Sequence, residues 1–259
     1  MTDPSDLQQP PPLPPELPTE PPLPPEPPVP QPREPFWGYS DLAFLIAAAL
    51  VIGLAISLVA AVFFKPSFSA GAALAVTFTF EGLWFAALYG VMRFGYGRPF
   101  WRSLGWVNAR RGIGEALVWG VLAALISVVI SSLLPPVHVK TPMEDLIKGR
   151  ASLLLLGFFA VTLGPLCEEL AFRGFLQPLL VATFGAVGGV LLQAVPFAVL
   201  HGAEYAWSWQ QLILMFVAGS AFGWMRHRTG STAASTYMHA GFNLVVFAGM
   251  LLDSFVHKA

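Results

Sequence analysis

The sequence predicts an all-α protein, a polytopic transmembrane helical bundle of about seven to eight helices behind a disordered proline-rich N-terminal tail. Three observations predict it. Hydrophobic residues make up 55% of 259 residues and charged residues 11%, against roughly 25% charged in soluble domains. The apolar residues gather in runs of about 20, the length that crosses a ~30 Å hydrocarbon core as a helix. Of 24 prolines, 16 fall in residues 1–36.

The tail reads Pro-Pro-Leu-Pro-Pro-Glu and then Pro-Pro-Leu-Pro-Pro-Glu-Pro-Pro. Proline removes amide donors and fixes φ, so this stretch is expected to be extended or disordered, a spacer or a docking site for a proline-reading partner. The remainder, 37–259, is expected to form one helical domain. Segment one is Leu42–Phe64, between Asp41 and Lys65; segment two is about Ala70–Met92; segment three is about Ile113–Leu134, ended by Pro135 and Pro136. Segment four starts near Ala151, with Gly164-Pro165 expected to kink it. Segment five is about Gly185–Leu200, segment six about Trp207–Met225 and segment seven about Thr232–Leu252. The first apolar run follows the tail, so no cleavable signal peptide is expected.

Charge sets orientation. The connection 93–112 holds Arg93, Arg98, Arg102, Arg110 and Arg111. With that loop in the cytoplasm, Arg33, Arg226 and Arg228 join it, giving eight basic residues inside. Lys65, Lys140, Lys148, Arg150 and Lys258 lie outside, five in all. The excess predicts a cytoplasmic N-terminus in an integral membrane protein, of the plasma (inner) membrane if bacterial. Gly95–Trp106, with Phe100, Trp101 and Trp106, is expected to lie along the interface as an aromatic anchor. The formal charge of −1 points to no nucleic-acid partner.

Chemistry concentrates in segment four, where Glu168 and Glu169 are adjacent. A charge at bilayer depth costs ~2.5–3.5 kcal/mol on insertion scales, so two carboxylates there need partners and a task. Glu169 and Arg173 are four apart and share a helix face, which suits either a structural ion pair or a held catalytic group. Glu168 points about 100° away and has no local partner. Glu168 and His201 are 33 residues apart, with their midpoint at Phe184–Gly185, so a helical hairpin turning there brings them to similar depth. Gly185 and Gly189 permit close packing. His239 and Asn243 are also four apart, suiting either oxyanion stabilisation or an interhelical clamp.

Three motifs occur in order on separate apolar segments: Glu168-Glu169-Leu-Ala-Phe-Arg173, Phe197-Ala-Val-Leu-His201 and His239-Ala-Gly-Phe-Asn243. Together they resemble the CPBP intramembrane proteases, which include the type II CAAX prenyl endopeptidases and the bacterial Abi proteins. The resemblance covers roughly 150–250. It implies an intramembrane endopeptidase acting on a membrane-associated, hydrophobic or prenylated peptide. In that reading Glu168 is the base that activates water with His201, Glu169 is held by Arg173, and His239 and Asn243 stabilise the oxyanion. No cofactor is required. Zinc on Glu168, His201 and His239 is the alternative, although no HExxH spacing supports it.

Cys167 is the lone cysteine, so neither a disulfide nor a CxxC site is available. It reads as a small buried hydrophobe rather than a nucleophile. Glu81, also at membrane depth, is expected to be structural. Two other classes fit intramembrane carboxylates and histidines: a transporter, which calls for an inverted repeat that the chain does not display, and a non-catalytic scaffold or immunity protein. One point does not close. If Trp207–Met225 spans the membrane, His201 lies near the outer face while His239 lies about 12 Å from the inner one.

Overall fold

A computed structural model describes residues 35–63, 70–108, 112–135, 141 and 149–256. The reading of residues 1–34 as disordered lies outside the described residues. Chain order runs α1 Tyr39–Phe63, α2 Ala70–Gly90 with a π-helical turn Val91–Gly95, α3 Phe100–Ser103 and α4 Ile113–Leu133. It continues with α5 Arg150–Val161, α6 Leu163–Glu169 with a π-helical stretch Leu170–Leu176, and α7 Gln177–Leu200. A 3-10 turn Ala203–Tyr205 leads to α8 Trp209–Thr229 and α9 Thr232–Val256. Among the described residues there is no strand.

Among the described residues, five runs are long and apolar enough to cross a membrane: Tyr39–Phe63, Gly71–Gly95, Ile113–Leu133, Arg150–Leu200 and Thr232–Phe255. Helix α8 has the length to cross but is more polar. Large side chains stand exposed along α1, among them Leu50, Leu54, Leu58 and Val62. That surface suits hydrocarbon, because a helix satisfies its own backbone and offers lipid only apolar groups.

The run Arg150–Leu200 is 51 residues long, far beyond the ~20 that one crossing needs. It is broken twice. Thr162 (φ −123°, ψ −83°) separates α5 from α6. The expected kink at Gly164-Pro165 therefore falls at Thr162, and Pro165 sits in the first turn of α6, where no amide donor is needed. The second break is Gly185 (φ 73°, ψ 174°) inside α7, backbone open essentially to glycine alone. It divides α7 into arms 177–184 and 186–200, which fold back on each other. A Cβ on Gly189 would lie 2.5 Å from the Val181 amide nitrogen, so the arms touch backbone to backbone. Phe172 and Phe197 meet edge-on at 5.2 Å across the same hairpin.

The loop after α2 departs from the expected surface anchor. Phe100 and Leu104 are buried with Trp37, Leu88, Met92, Leu170 and Phe175, while Trp101 is partly exposed. Phe36 packs edge-on against Trp37 and Tyr96. Trp37 stacks on Phe175 and donates its indole N–H to the Phe175 carbonyl at 3.1 Å. Helix α9 lies against α4 where Gly120 and Gly241 leave room: a Cβ on Gly241 would lie 2.5 Å from the Leu117 carbonyl oxygen, and one on Gly120 would strike the Met238 carbonyl. Small residues let helix backbones approach in this way.

Gly120→Leu is expected to push α9 off α4 and destabilise the protein by about 1–3 kcal/mol, the usual range for overpacking. Gly82, whose Cβ would meet nothing within 4 Å, supplies the control. In thermal unfolding of detergent-solubilised protein, Gly82→Ala should match the unsubstituted chain while Gly120→Leu melts lower.

Candidate active site

The site is assembled from α6, α7, α8 and α9. Its floor is an ion pair. Arg173 Nη1 donates to Glu169 Oε1 at 2.7 Å, both side chains having no exposed surface. The four-residue spacing produces this contact, as helical geometry requires. Glu169 is then saturated by α9: Ser235 Oγ donates to its Oε2, and His239 Nδ1 donates to its Oε1 at 3.0 Å. Arg173 turns its Nη2 to the Gly219 carbonyl of α8 at 2.8 Å. The rings of Phe172, Phe197 and Phe222 surround its guanidinium, with the Phe197 centroid at 4.4 Å. A guanidinium held between ring faces gains electrostatic attraction where it has lost water.

Two glutamines extend this polar seam. Gln177 Nε2 donates to Gly223 O at 2.9 Å, and Gln193 Nε2 to Gly219 O at 3.0 Å. A Cβ on Gly223 would lie 2.5 Å from the Gln193 amide nitrogen, so glycine there is what lets the amides reach α8.

Glu168 behaves differently from its neighbour. Its Oε2 is buried and has no hydrogen-bond partner. It lies 3.8 Å from His201 Nε2 and 3.9 Å from His239 Nε2. Each ring is fixed through its other nitrogen. His201 Nδ1 is 2.8 Å from the Phe197 carbonyl, and a carbonyl only accepts, so Nδ1 carries the proton. His239 Nδ1 faces a carboxylate and donates likewise. Partners of this kind set which nitrogen is left for chemistry, here Nε2 on both rings. The His239 ring also stacks on Phe222 at 4.5 Å, and Phe197 lies 4.7 Å from His201 and 5.9 Å from His239.

The gap between the histidines therefore closes. The second arm of α7 ends at Leu200, and the His201 ring folds back over its own last turn to the Phe197 carbonyl. The following connection is tight. Trp207 N donates to Gly202 O at 2.7 Å, and Ala206 and Trp207 both hold positive φ, at 51° and 58°. Strained non-glycine backbone of this kind clusters near functional sites. So do π-helical stretches like Leu170–Leu176, which directly follows the two glutamates.

Glu168, Glu169, Arg173, His201 and His239 thus converge. Asn243, one turn beyond His239 on α9, donates its Nδ2 to Ala160 O at the end of α5, at 2.7 Å. Cys167 and Glu81 face each other, and Glu81 also lies near Glu168, with Glu81 Oε2 buried and without a hydrogen-bond partner. Among the described residues, no three His, Cys, Asp or Glu side chains stand close enough to hold a metal as they are. A groove of about 630 Å³ runs between Trp101, Trp106, Val161, Thr162, Leu166, Thr236, Tyr237 and Ala240. Its lining includes none of Glu168, His201 or His239.

The sequence reading missed Ser235, Gln177, Gln193 and the glycine pair of α8. Two signals were available. Ser235, His239 and Asn243 repeat every four residues on one face of α9, and Gly219 and Gly223 form a small-xxx-small pair.

Arg173→Ala leaves Glu169 as an uncompensated buried charge and is expected to destabilise the fold by about 3–5 kcal/mol. Glu168→Gln removes a carboxylate oxygen that has no hydrogen-bond partner and should leave the thermal midpoint near that of the unsubstituted protein. Melting curves of the two variants, run together, check this contrast.

With the geometry in view, residues 150–245 match the family described as Type II CAAX prenyl endopeptidase Rce1-like. No curated protein and no solved structure matches the chain. The matched stretch contains all three motifs together with Ser235, Gln177 and Gln193.

Proposed function

We propose that this chain is a CAAX-type membrane protease, a reading supported by the match of residues 150–245 to the Rce1-like family, and that it hydrolyses a peptide bond of a hydrophobic or lipid-modified substrate with a water activated by Glu168. One observation carries the reading: a buried carboxylate oxygen without a hydrogen-bond partner, flanked at 3.8 and 3.9 Å by two imidazole nitrogens.

Two acceptors 3.8 Å apart can share one water, each bond being about 2.8 Å long. Glu168 Oε2 and His201 Nε2 are such a pair, since His201 keeps its proton on Nδ1. Glu168 takes one proton as the water oxygen attacks the scissile carbonyl carbon. The carbonyl electrons move to oxygen. His239 meets that oxyanion in its doubly protonated form, with Nδ1–H on Glu169 and Nε2–H directed into the site. Asn243 uses one amide hydrogen on Ala160, and its second is available to the oxyanion. When the carbon–nitrogen bond breaks, the proton on Glu168 passes to the leaving amine. The products are a new carboxyl end and a new amino end, with one water consumed. Fixed donors in a water-poor site stabilise the developing charge more strongly than they do in bulk solvent.

A second reading has an observation of its own. Two imidazoles with their Nδ1 groups satisfied and one carboxylate form a donor set that zinc accepts. Glu168, His201 and His239 would hold the ion, which would supply Lewis acidity and a more acidic water. The metal-free reading is preferred because the chain carries no HExxH spacing of the kind that marks a zinc helix.

Reconstitution into proteoliposomes with a cleavable hydrophobic peptide tests both readings. Glu168→Gln should lose about 10²–10⁴-fold in turnover, the usual contribution of a general base. Asn243→Ala should lose about 10²–10³-fold, as removal of an oxyanion donor does. Undiminished cleavage by Glu168→Gln removes the proposal. Activity abolished by chelation, restored by zinc and accompanied by stoichiometric metal reverses the choice between the two readings.

A further inference from the structure

We propose that the groove between the loop after α2, α6 and α9 holds a phospholipid with an anionic headgroup, one acyl chain lying in the groove and the phosphate meeting Arg226 and Arg102. The site is separate from the catalytic cluster and stands whether or not the protein is a protease.

The groove measures about 630 Å³, within the ~300–1,000 Å³ of ordinary ligand sites. Leu166 and Ala240 give it an apolar wall. Its two threonines add no polar anchor. Thr162 Oγ1 donates to Phe158 O at 2.6 Å and Thr236 Oγ1 to Thr232 O at 2.9 Å, so each hydroxyl is spent on its own helix or the one just before it. What lies between them must therefore be hydrocarbon. At bilayer depth the solvent is itself hydrocarbon, so a chain of the surrounding lipid fills such a groove. The headgroup then decides which lipid stays.

The ligands for that headgroup gather on one short turn. Trp106 N donates to Trp101 O at 2.8 Å, and the two rings lie 5.4 Å apart. Indoles of this kind sit at headgroup level. Arg102 follows Trp101 and is exposed. Gly105 precedes Trp106, and Arg226 packs on it from the last turn of α8. A Cβ on Gly105 would lie 2.9 Å from Arg226 Cζ, and its φ of 72° also favours glycine. The turn that carries both tryptophans is thus shaped to receive a guanidinium.

Arg226 is half-buried yet unmatched. It donates Nε–H to Thr232 Oγ1 at 2.9 Å and makes no other hydrogen bond and no ion pair among the described residues. Arg173 shows the contrast, since Glu169 neutralises it. A cation drawn partly out of water without a carboxylate calls for an anion from elsewhere. The planar fork of a guanidinium matches phosphate oxygens in pairs, and the Nη groups that Thr232 leaves over are the ones that do so. Basic pockets between spanning helices hold lipid phosphates in this way.

The test is native mass spectrometry of the full chain in mild detergent, titrated with phosphatidylglycerol or with phosphatidylcholine of the same chains. One phosphatidylglycerol should be retained about 20-fold more strongly than phosphatidylcholine, and Arg226→Gln and Arg102→Gln should each cut that preference about 5-fold. Ala240→Phe, which fills the groove, should remove the retained lipid. Arg150→Gln, which deletes an exposed charge at the start of α5, should change nothing. Arg102 is exposed, so its variant decides the matter even where Arg226→Gln unfolds. Equal retention of the two lipids overturns the site, as does a preference that survives Ala240→Phe or falls as far in Arg150→Gln as in Arg102→Gln. Retention of inorganic phosphate with no preference between the lipids marks an ion site and overturns it as well.

Discussion

The arrangement depends on how one ion pair is buried. Glu169 and Arg173 have no exposed surface, and charges removed from water are tolerated only when their remaining hydrogen-bonding capacity is met. Meeting it recruits three other helices. Ser235 and His239 come from α9, the Gly219 carbonyl from α8, and the Phe197 ring face from the far arm of α7. Each recruitment imposes a condition of its own. Helix α8 needs glycine at 219 and 223 so that its carbonyls can be reached, and α7 needs a hairpin at Gly185 so that Phe197 returns over Arg173. The pair therefore acts as a template that fixes which helices are neighbours.

The same template explains why adjacent glutamates differ so sharply. About 100° of helix rotation separates their side chains. One turns into the paired cluster. The other turns to a space between two imidazoles, each locked by an acceptor on its far nitrogen. A charge with every partner taken is poor at accepting a proton, whereas one left with a free oxygen is suited to it. The division of roles follows from geometry, with no difference in residue type.

Much of this was legible in the chain. The Glu169–Arg173 contact follows from helical spacing, and the Glu168–His201 approach from a midpoint at Phe184–Gly185. The apolar segments lay within a few residues of the helices. The rest depends on tertiary partners that spacing cannot name. Thr162 carries no breaker signature, yet the chain breaks there instead of at Gly164-Pro165, because proline in a first helical turn costs nothing. Asn243 shares a face with His239, but Ala160, from a helix more than eighty residues earlier, takes its amide. Phe100 looked like an interfacial anchor and became core, packed in one cluster with Trp37, Leu88, Met92 and Phe175. The depth of His201 could not be judged without knowing that its ring folds back on its own helix.

A hydrolase inside a membrane faces contradictory demands. It needs a dry setting to strengthen its electrostatics and a steady supply of water to consume. The cluster reconciles them by grading exposure over a few ångströms. Paired ions and aromatic rings close one side, so the low dielectric sits beneath His239, where an oxyanion would form. The other side borders the short connection after His201, where backbone with positive φ and exposed tryptophans replaces regular helix. Irregular backbone at such depth survives only where protein or water satisfies it. On the proposed mechanism, the early end of α7 at Leu200 leaves room for the water that Glu168 would deprotonate, where a longer, regular helix would fill that space.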